Sequence, residues 1–144
     1  IFLFAGMISV SSAMDKTGAG KLLAKFCVDL LGGTPSPLFV AALLFLVSSF
    51  LTQFMSNTAT ATLLCPIGVA IAQQIGASPH AVVMSITIGI ACAYATPVGT
   101  PPNTLVLGPG GYRFMDYVKV GTPLIFVSFI VSMIVIPIVW PFFK

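Results

Sequence analysis

Two short polar clusters lie inside otherwise apolar sequence, and their side chains are suited to binding ions. The first is Ser56-Asn57-Thr58, which separates two uncharged runs. The second is the stretch 96–103, Thr-Pro-Val-Gly-Thr-Pro-Pro-Asn, whose three prolines and glycine cannot continue an α-helix. Hydroxyls and amides can donate to an anion, and loop carbonyls are hard oxygen ligands for a small cation. Neither cluster contains a charged side chain, so neutral groups would hold the ion, which favours reversible transport over catalysis.

Both clusters also interrupt helices and therefore expose helix ends. We expect one helix to begin near Ala59 and another at Thr104, each with a partly positive N-terminus directed at an anion. Thr100 and Asn103 would add donors at the second break. Alone, each cluster has an ordinary explanation, since the tripeptide is common and a proline break is often only a kink. Together they favour a binding site of the type that secondary transporters build from discontinuous helices.

The composition indicates whether this chain folds in water or in a membrane. Of its 144 residues, 58% are hydrophobic and 6% are charged, whereas a soluble domain carries roughly 25% charged residues. This excludes a soluble enzyme, a nucleic-acid binder and a disordered regulator, and the net charge of +3 is too sparse for a nucleic-acid partner. No nucleophile with its base and no metal cluster is recognisable, so we predict that the protein is not an enzyme. The sequence predicts an all-α, polytopic integral membrane protein.

The first half of the chain divides into three predicted segments. Residues 1–14 are typical of the end of a truncated transmembrane helix. Residues 15–36 predict an amphipathic helix in the headgroup region followed by a turn, with a solvated loop helix as the alternative. Residues 37–75 predict a helical hairpin with Ser-Asn-Thr at its tip, because a connection this short joins antiparallel neighbours.

The second half also divides into three. Residues 80–107 predict one discontinuous transmembrane helix, whose first half continues to residue 95 and whose second half begins at Thr104. Residues 108–120 predict an interfacial loop. Residues 121–144 predict a C-terminal transmembrane helix.

The paired motifs resemble those of one transporter family. Residues 56–61, Ser-Asn-Thr-Ala-Thr-Ala, followed about forty residues later by the 96–103 stretch, resemble the divalent anion/sodium symporter family. Residues 110–121 are similar to the same family, particularly to its bacterial anion permeases. The resemblance implies one inverted repeat, the C-terminal one, of an elevator-type transporter in the bacterial inner membrane.

The resemblance also implies roles for individual residues. The family's Ser-Asn-Thr motif contacts a carboxylate or sulfate, and its Thr-Pro-Pro segment lies at the same site. These motifs, with the donor expected at the second break, give the substrate set Ser56, Asn57, Thr58, Thr100, Pro101, Pro102 and Asn103. One sodium ion would lie between the hairpin tip and the unwound loop, with Met55 and Gly99 contributing only backbone carbonyls. Its set is Thr52, Met55, Asn57 and Gly99.

The implied function is secondary active transport of a di- or tricarboxylate or sulfate, coupled to sodium, by alternating access in a homodimer within the lipid bilayer. The family carries a Ser-Asn-Thr motif in each of two repeats, and this chain has one. Because the chain begins abruptly at Ile1 in apolar sequence, we interpret the N-terminal repeat as missing by truncation. Antiparallel assembly of two short chains is the alternative.

Three rival functions stay open from the sequence. An anion exchanger or a proton-coupled permease would share the fold. A structural subunit of a membrane complex would use the polar breaks and its small residues for helix packing.

Overall fold

The computed structural model describes residues 36–143, which form five α-helices and no strand. The prediction for 1–14, and that for 15–36 apart from its last residue, lie outside the described residues. The helices are α1 (Pro37–Leu51), α2 (Asn57–Gln74), α3 (Pro79–Ala91), α4 (Pro101–Leu107) and α5 (Phe114–Val139). This part of the chain is therefore all-helical, as the sequence predicts.

The first three helices each begin at a serine. The Ser36 hydroxyl accepts a hydrogen bond from the backbone N–H of Phe39 at 3.3 Å, and Ser56 accepts one from Ala59 at 3.2 Å. Such caps satisfy N–H groups that have no partner within the helix. Ser78 occupies the same position before α3 but makes no side-chain cap bond.

Helix α3 lies at the centre of the fold and packs against α1, α2 and α5. The core between α1, α2 and α3 consists of aliphatic side chains, chiefly Val40, Leu44, Leu64, Ile71, Val82 and Ile86. Helices α1 and α3 approach so closely at Gly89 that a Cβ atom there would lie 2.6 Å from the Phe45 carbonyl oxygen. This contact admits no side chain, and together with the shared aliphatic core it makes the first three helices one tightly packed unit.

Helix α5 is the one described helix that is long and apolar enough to cross a bilayer; α1 and α3 are apolar but shorter. Its start differs from the sequence prediction, since residues 114–120 belong to this helix rather than to an interfacial loop. A capping interaction explains the early start, because the Asp116 carboxylate accepts from the backbone N–H of Arg113 at 2.8 Å. On α5, Phe129 packs edge-on against Phe45, with ring centroids 5.4 Å apart.

The break between α3 and α4 also begins and ends at residues other than those predicted. Helix α3 ends at Ala91, four residues before the expected end, and α4 begins at Pro101, three residues before the expected Thr104. Proline is favourable in the first turn of a helix, where its missing N–H has no helical partner to lose. The double proline therefore starts the second half-helix instead of belonging to the break. Residues 92–100 form the unwound segment between the two.

Candidate ion and substrate site

The end of the hairpin is the link of residues 52–56 between α1 and α2, and it carries the first polar cluster. Ser56 and Thr58 are exposed, and Asn57 is half-buried. Because the Ser56 hydroxyl caps α2, it holds the first turn of an 18-residue helix with its N-terminus at the hairpin end. Free N–H groups and the partial positive charge of such an end attract anions.

Three oxygen atoms meet beneath the hairpin end. The Thr52 hydroxyl oxygen lies 2.7 Å from Asn57 Oδ1 and 3.1 Å from the carbonyl oxygen of Ile90, the penultimate residue of α3. A hydroxyl has one hydrogen to donate, and two acceptors compete for it here. Thr52 is fully buried. Several neutral oxygen atoms with few hydrogens between them are the type of ligand that a small hard cation prefers.

The side chain of Gln53 supplies two of the backbone hydrogen bonds of the unwound segment. Its amide nitrogen donates to the Cys92 carbonyl at 2.9 Å and to the Ser49 carbonyl at 2.8 Å, while its amide oxygen accepts from the Ala95 N–H at 3.0 Å. The Thr96 hydroxyl donates to the Gln53 carbonyl at 2.7 Å. Unwound backbone survives in a membrane only when its polar groups find such protein partners.

Gly99 lies directly against the hairpin end. A Cβ atom at this position would be 3.1 Å from the Thr52 carbonyl oxygen, and the Gly99 N–H donates to the Thr96 hydroxyl at 3.2 Å. Of the residues expected around sodium, the structure thus brings Thr52, Asn57 and Gly99 together. Met55 lies on the same link, where its N–H donates to the Leu51 carbonyl at 3.0 Å.

On the other side of the break, Thr100 precedes α4, and Pro101 and Pro102 form its exposed first turn. The helix expected to begin at Thr104 begins at Pro101 instead. Because α4 has only seven residues, we assign the attraction of an anion to a helix N-terminus to α2 alone. The hydroxyl of Thr104 instead donates to the Pro97 carbonyl at 2.6 Å.

Asn103, expected among the substrate residues, bonds the backbone of the break in this structure. Its amide nitrogen donates to the Ala93 carbonyl at 2.9 Å and to the Thr96 carbonyl at 3.0 Å. Both amide hydrogens are therefore used within the chain, and a contact of Asn103 with substrate stays a prediction. Asn103 fastens α4 to the unwound segment, and its own carbonyl accepts from the Tyr117 hydroxyl of α5 at 2.8 Å.

A cavity of about 350 Å³ lies where the unwound segment, α4 and α5 meet. Tyr94 and Asn103 line it on one side, and Tyr117, Val120 and Leu124 of α5 line it on the other. No other described helix packs its backbone against α4, and the Tyr117 hydroxyl crosses from α5 to the Asn103 backbone carbonyl.

Sequence reasoning missed three residues of this site: Gln53, Ile90 and Thr96. Gln53 has a signal that could have been used, because it is the one amide side chain in the uncharged run 37–55. A primary amide in hydrocarbon needs partners, and unwound backbone supplies them. The Ile90 carbonyl has no such signal, since a backbone oxygen leaves no trace in the residue type.

The chain matches the citrate transporter family over residues 1–143. It is 41% identical over 142 residues to the uncharacterized transporter YfbS of Escherichia coli (strain K12), covering 99% of this chain and 23% of that protein. It is 34% identical over 142 residues to a putative sulfur deprivation response regulator of Chlamydomonas reinhardtii, covering 97% of this chain and 23% of that protein. It is 30% identical over 136 residues to the sodium-dependent dicarboxylate transporter SdcS of Staphylococcus saprophyticus, covering 94% of this chain and 26% of that protein.

The chain thus spans about a quarter of the length of these relatives. The match over nearly every residue confirms the resemblance to the divalent anion/sodium symporters and identifies a membrane protein of a transporter family. The chain belongs to the citrate transporter family.

Proposed function

We propose that this chain is the C-terminal repeat of a secondary active transporter that moves a divalent anion together with sodium by alternating access. The observation that carries the proposal is the meeting of the hairpin end with the unwound segment at Thr52, Asn57 and Gly99. Two helix interruptions at one place gather oxygens, amides and a helix N-terminus without any charged side chain. Binding of this kind is reversible, as transport requires.

In this proposal sodium lies among the oxygens of the hairpin end and the unwound loop. The Thr52 hydroxyl and Asn57 Oδ1 already lie 2.7 Å apart, and Gly99 borders the Thr52 carbonyl. The Met55 and Gly99 carbonyls complete the ligand set. Residues 52–58 and 92–103 contain no carboxylate and no histidine, which favours sodium over proton as the coupling ion.

In this proposal the anion lies beside the sodium site, at the exposed start of α2. Ser56, the Asn57 amide nitrogen and Thr58 offer donors at the start of α2, and Thr100 adds a hydroxyl from the other side of the break. Pro101 and Pro102 shape that side. A bound sodium ion next to these neutral donors would supply the positive charge that a divalent anion needs.

The anion class is a di- or tricarboxylate or sulfate. The sodium-dependent dicarboxylate transporter at 30% identity supports a carboxylate and supports sodium coupling. The full-length protein would be a multi-pass protein of the bacterial inner membrane, with a second, inverted repeat that completes the anion site. It would act as a homodimer and move its substrate by an elevator motion.

Uptake by the full-length transporter in proteoliposomes tests the proposal. Labelled succinate, citrate and sulfate are offered in turn, in sodium buffer and in choline buffer of equal ionic strength. We expect uptake of at least one anion in sodium and little in choline. Equal uptake in both buffers would contradict sodium coupling, and uptake that needs an anion inside the vesicle would identify an exchanger.

Asn57→Ala sharpens the test, because Asn57 belongs to both proposed sites. A hydrogen bond to a charged group is worth about 1.5–3 kcal/mol, so we expect uptake to fall by about tenfold or more. Gln73→Ala, at an exposed position near the end of α2, is the matched control and should transport like the wild type. If Asn57→Ala lowered the amount of assembled protein and left uptake per molecule unchanged, a structural subunit would be the better description.

A further inference from the structure

Two side chains that belong to neither proposed ligand set fasten the unwound segment to the hairpin. Gln53 and Thr96 are each only 6% exposed. The Gln53 amide bonds the backbone of Cys92 and Ala95, at 2.9 and 3.0 Å. The Thr96 hydroxyl donates to the Gln53 backbone carbonyl at 2.7 Å, so each of the two side chains bonds the backbone on the opposite side of the contact.

The Thr96 hydroxyl also reaches the proposed sodium site. It accepts from the Gly99 N–H at 3.2 Å while it donates to the Gln53 carbonyl. Gly99 borders the carbonyl of Thr52, and Thr52 directly precedes Gln53. One hydroxyl therefore connects the backbone on the hairpin side of the site to the backbone on the loop side.

We propose that Gln53 and Thr96 are positioning residues that set the affinity for sodium by holding Thr52 and Gly99 at a fixed separation. This role rests on the proposed sodium coupling. A site whose ligands are already in place spends less binding free energy on ordering them, so its affinity is higher. Without the two side chains, sodium itself would have to draw the loop against the hairpin.

The test measures sodium binding by the purified full-length transporter in lipid nanodiscs. Thermal stability is recorded against sodium chloride concentration, with choline chloride holding the ionic strength constant. Thr96→Val keeps the volume and removes the hydroxyl, and we expect it to raise the half-saturating sodium concentration by about tenfold. Thr96→Ser keeps the hydroxyl and should restore a value near that of the wild type.

Gln53→Met provides an independent variant, since it keeps the length of the side chain and removes the hydrogen bonds of the amide group. We expect a shift in the same direction as for Thr96→Val. Gln74→Met, at the exposed last residue of α2, is the matched control and should leave the sodium response unchanged. In both site variants, the stability reached at saturating sodium and the maximal anion uptake should approach those of the wild type.

Recovery of stability and uptake at saturating sodium separates a positioning role from a merely structural one. Lower stability at every sodium concentration, with an unchanged half-saturating value, would overturn the inference. If the wild type responds to sodium and the variants have the same half-saturating concentration, the positioning role is wrong but the proposed sodium coupling stands. A wild-type protein that does not respond to sodium would overturn the proposed coupling and this role together.

Discussion

The two sides of the unwound segment are held in very different ways. On the hairpin side, α1, α2 and α3 share a buried aliphatic core, and Gly89 lets two helix backbones touch. On the other side, α4 has no buried residue, and none of the other described helices packs its backbone against it. Hydrogen bonds from Asn103, Thr104 and Tyr117 fasten α4 instead.

The contrast divides the proposed site by rigidity. Thr52 and Asn57 belong to the packed side, and Thr100 and Pro101 belong to the lightly fastened side. Elements with few buried contacts open locally at a lower free energy than the core does. In the proposed site, the sodium ligands of the hairpin would therefore lie on a rigid support, whereas Thr100 and the α4 side of the anion site could adjust to the anion.

Gly89→Ala tests the packed side and should have the largest effect. The added methyl group would meet the backbone of Phe45, which cannot rotate away as a side chain can. We expect a loss of stability at the upper end of about 1–3 kcal/mol and a lower yield of folded full-length protein, measured by thermal melting after purification. Gly108→Ala is the control: it has no neighbouring atom within 4 Å, has helical backbone angles and should melt like the wild type. A stable Gly89→Ala would show that the helices can separate at this point.

Residue types alone show where the helices break but not what replaces the lost bonds. Proline at 97 leaves the Ala93 carbonyl without its helical N–H, and proline at 101 does the same to the Pro97 carbonyl. Asn103 and Thr104 donate to these two acceptors, from ten and seven residues further along the chain. Such local partners could have been predicted by asking where each orphaned carbonyl finds a donor.

The long-range partners could not be predicted in that way. Thr52 and Ile90 are 38 residues apart in the chain, and Gln53 and Ala95 are 42 apart. Their pairing depends on the close approach of α1 to α3, which is set by packing rather than by either residue's type. The family resemblance indicated that hairpin and loop share a site, but not that a glutamine joins them.

Asn103→Ala tests the lightly fastened side and should have an intermediate, local effect. The change leaves the Ala93 and Thr96 carbonyls without a donor and loosens α4, at a cost of about 2 kcal/mol. Hydrogen exchange by mass spectrometry should show faster exchange over residues 92–107, with α1 and α3 unchanged. Thr87→Ala, which removes an exposed hydroxyl bonded within its own helix, is the control. Faster exchange throughout the core would mean that α4 is part of the packed unit and that the division into two sides is wrong.

Tyr117→Phe should have the smallest effect and is the sharpest probe of how α5 touches α4. It removes the hydroxyl that donates to the Asn103 carbonyl and keeps the ring that lies 6.0 Å from the ring of Tyr112. One hydrogen bond is worth about 1 kcal/mol, so exchange over α4 should rise by no more than about fivefold, while the melting temperature stays near that of the wild type. Tyr112→Phe, in the same pair of rings, should change neither. If exchange over α4 did not respond to Tyr117→Phe, then Asn103 and Thr104 alone would fasten α4, and α5 would be free to move independently of the anion side of the site.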